Sequence, residues 1–336
     1  MNRREFQHAI AGLLTAGGMA ASAFAAGKPR RPRSFLNLRT PTSGGQQLWA
    51  DVRLFHEWRI QRNALTGHFR LVDGDNQRLA WGTLEACEGE LETVRKEQQL
   101  TPMKETAVML LHGLFRTRGS MSRLAAHLKQ QTDWQVLNVG YPSTRGSIAD
   151  HANALAQIVD HLDGVKKIHF VAHSLGNLVI RHWLGDIMQS DASDEIKEKD
   201  KDRRLGRIAM LGPPNQRPAL AQALVPIDRH NVIAGDAGRE LHKKWGDLSL
   251  RLATPPCEFG ILAGGLDDGS GHNPLIPGDD DMIVGVDETK LTGARDFRVL
   301  PVIHATMMDD QAVQQMALKF LQEGFFESAD ERQRLG

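Results

Sequence analysis

The chain is poor in cysteine: its 336 residues hold two, Cys87 and Cys257. That is too few for a disulfide framework or a thiolate metal cage, and their wide separation suggests no local clip. Neither sign of charge is in excess, with 41 Lys plus Arg against 41 Asp plus Glu. No basic stripe is present either, so the electrostatic footprint of a nucleic-acid binder is missing. The 32 glycines follow no fixed period, which excludes a fibrous chain, and there is no internal repeat. What is present, 41% apolar and 24% charged residues, suits an ordinary globular protein with a sizeable core.

At the N-terminus Arg3 and Arg4 precede Phe6 and an uncharged run from Ala9 to Gly27 that is rich in Ala, Gly and Thr, with Ala23 and Ala25 flanking Phe24. Charge, a mildly apolar stretch and then small residues make up an export signal. Residues 1–25 are expected to be removed after Ala25, with Ala23 as a second cleavage point. An uncleaved anchor is the competing reading, weakened by the scarcity of Leu, Ile and Phe that would hold a helix in lipid. The arginine pair resembles a bacterial twin-arginine signal, which implies export of the folded protein across the inner membrane by the twin-arginine translocation machinery. Residues 26–50, with Pro29, Pro32, Pro41 and the Gly44–Gly45 pair, read as a linker.

From Leu54 the pattern turns to strands. LFHEWRI, GHFRLV and RLAWGTLEA alternate in the manner of an antiparallel meander broken by a DGDN turn at 73–76, and the charged stretch GELETVRKEQQL follows as helix. The apolar run AVMLL at 107–111 then begins an alternation of buried strands and amphipathic helices, which implies α/β class and a mostly parallel sheet. EFGILAGG at 258–265 and FRVLPVIH at 297–304 are the last two predicted strands, and ATMMDDQAVQQMALKFL the closing helix. The connection from Pro213 to Pro256, apolar at Leu220, Leu224 and Val225, is too long for a simple crossover and reads as a lid over the C-terminal edge of the sheet, before the penultimate strand. The charge run at 190–204 reads as a solvated extension. One catalytic domain, 51–325, and a tail, 326–336, complete the expected organisation.

KIHFVAHSLGNLVIRHWL places Ala172, His173, Ser174, Leu175 and Gly176 where a buried strand meets a helix. A serine hydroxyl raised above a sheet by such a sharp turn needs small residues two before and two after it, here Ala172 and Gly176. The hydroxyl is a poor nucleophile until an imidazole takes its proton, and the imidazole needs a carboxylate to orient it. His304, directly after the last predicted strand, and Asp281, in PGDDDMIVGVDE, supply these in the order Ser, Asp, His. His272 is a rival base and Asp280 a rival acid; Asp281 is favoured because a strand starting at Met282 would put it at the end of the loop. A calcium site among Asp267, Asp268 and Asp279 to Asp281 lacks a spaced ligand loop. In LLHGLFRT, His112 and Gly113 end a strand and turn the backbone toward the site, making the Leu114 and Leu175 amides the two oxyanion donors. His112 is then structural, and no metal or cofactor is required.

Through LLHGL, NVGYPS, VAHSLG, MLGPPNQ, DDDMIV and VIHATMM, in that order over roughly residues 50 to 325, the chain resembles the α/β-hydrolase superfamily, in particular its bacterial lipase and esterase branch. The resemblance implies the α/β-hydrolase fold, a nucleophile at Ser174, an acid at Asp281, a base at His304 and an acyl-ester or lipid-like substrate met at a transient lipid interface. Two positions depart from the pattern: Met282 stands where the acid motif has Gly, and Arg217 where related lipases have a small residue. Acyltransferase, thioesterase or amidase chemistry would use the same triad, and a catalytically silent binding protein would keep the fold without the reaction.

Overall fold

The computed structural model describes residues 40–42, 46–190, 204–220, 235–266 and 269–336. The export signal, most of the linker, the charge run at 191–203, Leu224, Val225, Asp267 and Asp268 lie outside the described residues.

Five strands form an antiparallel meander: β1 (Thr40–Pro41), β2 (Trp49–Phe55), β3 (Trp58–Asn63), β4 (Phe69–Val72) and β5 (Gln77–Gly82), in the order β1-β5-β4-β3-β2. The segment expected as one strand at 54–60 is a hairpin. Phe55 pairs with Trp58, and His56 turns the chain with φ of 50°. The segment RLAWGTLEA is also divided: the strand stops at Gly82, and Thr83 accepts a hydrogen bond from the Ala86 amide to cap α1 (Leu84–Glu97), as a threonine hydroxyl does for an otherwise orphan N–H.

The second sheet has six parallel strands, β6 (Thr106–Leu111), β7 (Gln135–Val139), β8 (Lys167–His173), β9 (Leu205–Leu211), β10 (Phe259–Gly264) and β11 (Asp296–Leu300), in the order β11-β10-β9-β8-β6-β7. Between them run α2 (Ser122–Gln131), α3 (Ile148–Val159), α4 (Leu175–Ser190), α5 (Gly235–Lys243), α6 (Trp245–Ser249) and α7 (Val286–Thr289), and α8 (Gln311–Glu323) closes the chain. This is the expected α/β-hydrolase architecture: a parallel sheet preceded by antiparallel strands. Successive strand residues face opposite ways, so Ala107, Met109 and Leu111 of β6 enter one core with Leu155 of α3 and Leu178 of α4. Val108 and Leu110 enter the other, with Leu124 of α2 and Phe320 of α8. Each large apolar side chain buried in this way stabilises the fold by ~1.5–3 kcal/mol.

The strand order reverses around β6 and β8. The C-terminal ends of the strands at such a reversal are the usual ligand position in these sheets. The insertion before β10 contains α5 and α6 among its described residues. α5 is tied to the start of α3, with the Ile148 amide donating to Glu240 and the Ala237 amide to the Gly146 carbonyl just before it. The tail, residues 326–336, docks on β11: fully buried Asp296 accepts from the amides of Phe326 and Gln333. Cys87 is a buried free thiol whose pKa burial pushes up to about 12, and no disulfide joins it to Cys257. No helix among the described residues is long and apolar enough to cross a membrane.

Two helical glycines predict opposite responses to alanine. Gly89 of α1 has open space where a Cβ would go, so Gly89→Ala should gain up to ~1 kcal/mol from helix propensity. At Gly176 a Cβ would lie 2.7 Å from the Leu111 carbonyl oxygen and 3.0 Å from that of His112. The packed backbone cannot yield cheaply, so Gly176→Ala should cost ~1–3 kcal/mol. Urea midpoints will decide, and equal signs for the two would refute the argument.

Candidate active site

Ser174 stands between β8 and α4 with φ of 52°, in the left-handed region that a residue with a Cβ avoids unless its surroundings impose it. The surroundings are visible. Its amide donates to the Leu211 carbonyl at 2.9 Å, and buried Asn177 donates through Nδ2 to the carbonyls of Ala172 and Ser174, each at 3.1 Å. Gly176 lets α4 approach β6 closely enough for this turn. Asn177 was not predicted as a site residue, although its place one helical turn after the serine is what lets its amide reach back.

The three consecutive aspartates do different things. Asp279 accepts from the Leu266 amide at 2.8 Å, and Asp280 from the amides of Asn273 and Met282. Asp281, fully buried, places Oδ2 2.7 Å from Nδ1 of His304. Its Oδ1 accepts from the amides of Ile283 at 3.1 Å and Val284 at 2.8 Å. A ring nitrogen facing a carboxylate carries the proton, so His304 holds Nδ1–H and leaves an Nε2 lone pair. The His304 amide also donates to the Asp281 carbonyl at 2.9 Å. No strand begins at Met282. Asp281 sits in a tight loop in which Met282 adopts φ of 84°, a conformation that costs a residue with a Cβ ~1–2 kcal/mol. This is why glycine would suit that position. The last strand likewise stops at Leu300, and His304 lies in the turn beyond it. His272 is exposed in its loop, and Arg217 is exposed.

The residue before Ser174 bonds to the turn that carries His304. Buried His173 places Nε2 3.0 Å from the His304 carbonyl oxygen, with the ring centroids 4.6 Å apart. Facing a carbonyl, that Nε2 is the protonated nitrogen, which leaves Nδ1 without a partner beside the place where a Gly113 Cβ would lie, 2.9 Å away. Burial, with His304 next, lowers the His173 pKa well below the ordinary value. Gly212 passes so close to the pair that a Cβ there would lie 3.1 Å from His304 Nδ1 and 3.3 Å from Asp281 Oδ2. No hydrogen bond joins the Ser174 hydroxyl to the His304 ring among those the described residues form. Such bonds commonly tighten only when substrate is bound.

The turn after β6 forms the remaining wall. His112 Nδ1 donates to the Gly113 carbonyl at 2.9 Å, and its ring stacks on Tyr141 at 4.1 Å, whose hydroxyl donates to the His112 carbonyl. Leu114 follows, and Leu175 opens α4, where the first amides have no acceptor within the helix. Neither N–H is taken up by a hydrogen bond among the described residues. Nor do these residues contain a His, Cys, Asp and Glu cluster able to hold a metal ion.

Three further histidines make the fold acid-sensitive. Burial pushes His112, His151 and His169 down to about 4. Between that value and the unfolded value near 6.5, the unfolded chain binds protons that the native state refuses, so stability rises with pH across this window and is complete above it. Three such protons correspond to about 4 kcal/mol per pH unit in mid-window. Urea midpoints should therefore fall sharply from pH 7 to pH 5; a flat profile would contradict the neutral burial of these rings.

The six-stranded parallel sheet preceded by antiparallel strands is an α/β-hydrolase fold, and Ser174 in left-handed backbone and the hydrogen-bonded Asp281–His304 pair lie beyond the C-terminal ends of its strands. The family model described as "Putative serine esterase (DUF676)" matches residues 103–204, less than a third of the chain, which includes Ser174 and ends before Asp281 and His304. A sequence comparison with curated proteins gave no match. Among solved structures, the lin2722 product of Listeria innocua is 16% identical over 68% of this chain and 97% of its own, with a TM-score of 0.43. The phospholipase PlaB of Legionella pneumophila is 20% identical over 55% of this chain and 44% of its own, with a TM-score of 0.39. A metagenome-derived lipolytic enzyme from a study of LipS and LipT is 12% identical over 66% of this chain and 96% of its own, with a TM-score of 0.44.

Proposed function

We propose that the protein is a serine carboxylic-ester hydrolase acting through an acyl-enzyme. The observation that carries this reading is the 2.7 Å bond from His304 to Asp281 at the sheet edge where Ser174 is held in left-handed backbone. In this reading Ser174 Oγ attacks the ester carbonyl while His304 Nε2 takes its proton, and the Leu114 and Leu175 amides receive the oxyanion. The carbon–oxygen bond to the alcohol then breaks as His304 returns the proton to it. Water attacks the acyl-serine by the same route in reverse.

Four exposed apolar side chains on the loops that carry these groups support an acyl or lipid-like substrate: Phe115, Met282, Ile283 and Ile303. The insertion at 213–256 is read as the lid, and the N-terminal segment as a twin-arginine signal that delivers the folded enzyme across the inner membrane. A fluorophosphonate probe tests the chemistry. Protein lacking residues 1–25 should be labelled at Ser174, and absence of labelling in folded protein would overturn the reading. Nitrophenyl esters of increasing chain length, with and without a lipid–water interface, will then place the enzyme between esterase and lipase.

A further inference from the structure

Among the described residues Arg116 is a cation without a counter-charge, at the mouth of this site. Its backbone closes the turn that carries Leu114, the Arg116 amide donating to the Gly113 carbonyl at 3.2 Å. Its Nη2 crosses to the base-bearing turn and donates to the Ala305 carbonyl at 3.1 Å, a contact exposed to solvent. The side chain therefore spans the two turns between which a bound ester carbonyl would sit. A guanidinium has five N–H donors in a planar fork suited to carboxylate or phosphate, and this one gives a single donor to the described residues. Among the described residues no carboxylate pairs with it. Asp281 is buried and committed to His304, Ile283 and Val284. Asp309 lies 3.9 Å from Arg123, and Asp310 caps α8. Phe115 and Ile303, exposed on the same two turns, add apolar surface to them.

We propose that Arg116 forms an anion subsite, so that the preferred substrates are esters carrying a carboxylate or phosphate a short distance from the scissile bond, with an apolar body between. The proposal rests on the hydrolase reading above, and the test separates the two. The readout is a ratio: kcat/KM for the nitrophenyl monoester of adipic acid over that for nitrophenyl hexanoate, which has the same chain length and no charge. A second arm compares a monoacylglycerol phosphate with the corresponding monoacylglycerol, to tell an anion on the leaving group from one on the acyl chain. Any effect of a variant on the turn itself acts on both members of a pair and cancels in the ratio.

Wild type should favour the anionic member of at least one pair by about tenfold, the scale of one charge-assisted contact. That preference should shrink as salt rises through the screening range. Arg116→Gln should bring the ratio to about one, mainly through KM, and Arg116→Lys should restore much of it. A wild-type ratio near one in both arms, or a ratio unchanged in Arg116→Gln, would overturn the subsite while leaving the hydrolase intact. Salt dependence in wild type serves if the glutamine variant does not fold. Failure to turn over any ester, with no fluorophosphonate labelling, would instead refute the hydrolase reading.

Discussion

Ser174→Ala should leave a folded protein whose ester turnover has fallen about a million-fold, the scale seen when one member of a triad acting as a unit is removed. Residual catalysis of about a thousandfold over water should persist, because the oxyanion donors and substrate binding do not depend on the hydroxyl. The substitution removes one oxygen from a half-buried residue and leaves the backbone bonds to Leu211 and Asn177 available. Thermal and urea midpoints should therefore stay close to wild type. The comparison is single-turnover hydrolysis of a nitrophenyl ester beside a melting curve. An alanine variant that keeps more than a hundredth of the wild-type rate would remove Ser174 from the chemistry.

Asp281→Asn should lower kcat about ten-thousandfold, for a reason specific to this loop. Oδ1 of Asp281 accepts from the amides of Ile283 and Val284, so the asparagine oxygen will keep those donors and turn its NH2 toward His304. A ring nitrogen facing a donor must offer its lone pair, so the proton moves to Nε2, where it cannot receive one from the serine. Asp280→Asn is the control. Asp280 bonds to backbone amides of its own loop and touches no ring, so its loss of rate should be far smaller. Steady-state kcat for the two variants decides between the neighbouring carboxylates, and equal losses would count against the orientation argument.

Much of the fold was legible in advance where one local rule acted alone. The continuous apolar runs of β6 and β8, buried nearly throughout and alternating with amphipathic helices, were enough for a parallel sheet. The capping box of Ser147 and Asp150 starts α3 close to where the helical pattern begins. The misreadings fell where two rules compete over a few residues. The stretch 54–60 carries strand-like apolar residues at both ends, yet a hairpin turn at His56 divides it. Met282 and Ile283 look like strand, but Asp281 draws their loop into a turn with backbone hydrogen bonds to its own carboxylate. Nothing near the tail in sequence reveals that Asp296, some thirty residues earlier, accepts its amides.

The amino-acid sequence alone determined the class of sheet, the position of the elbow and the candidate nucleophile, acid and base, because each depends on residues adjacent in the chain. Only the tertiary structure decided which aspartate meets His304, that His173 and Asn177 hold the elbow, that Gly212 gives the Asp–His pair room and that Arg116 spans the mouth. Those facts depend on distances between strands and turns far apart in sequence, where a difference of an ångström separates a hydrogen bond from an idle neighbour.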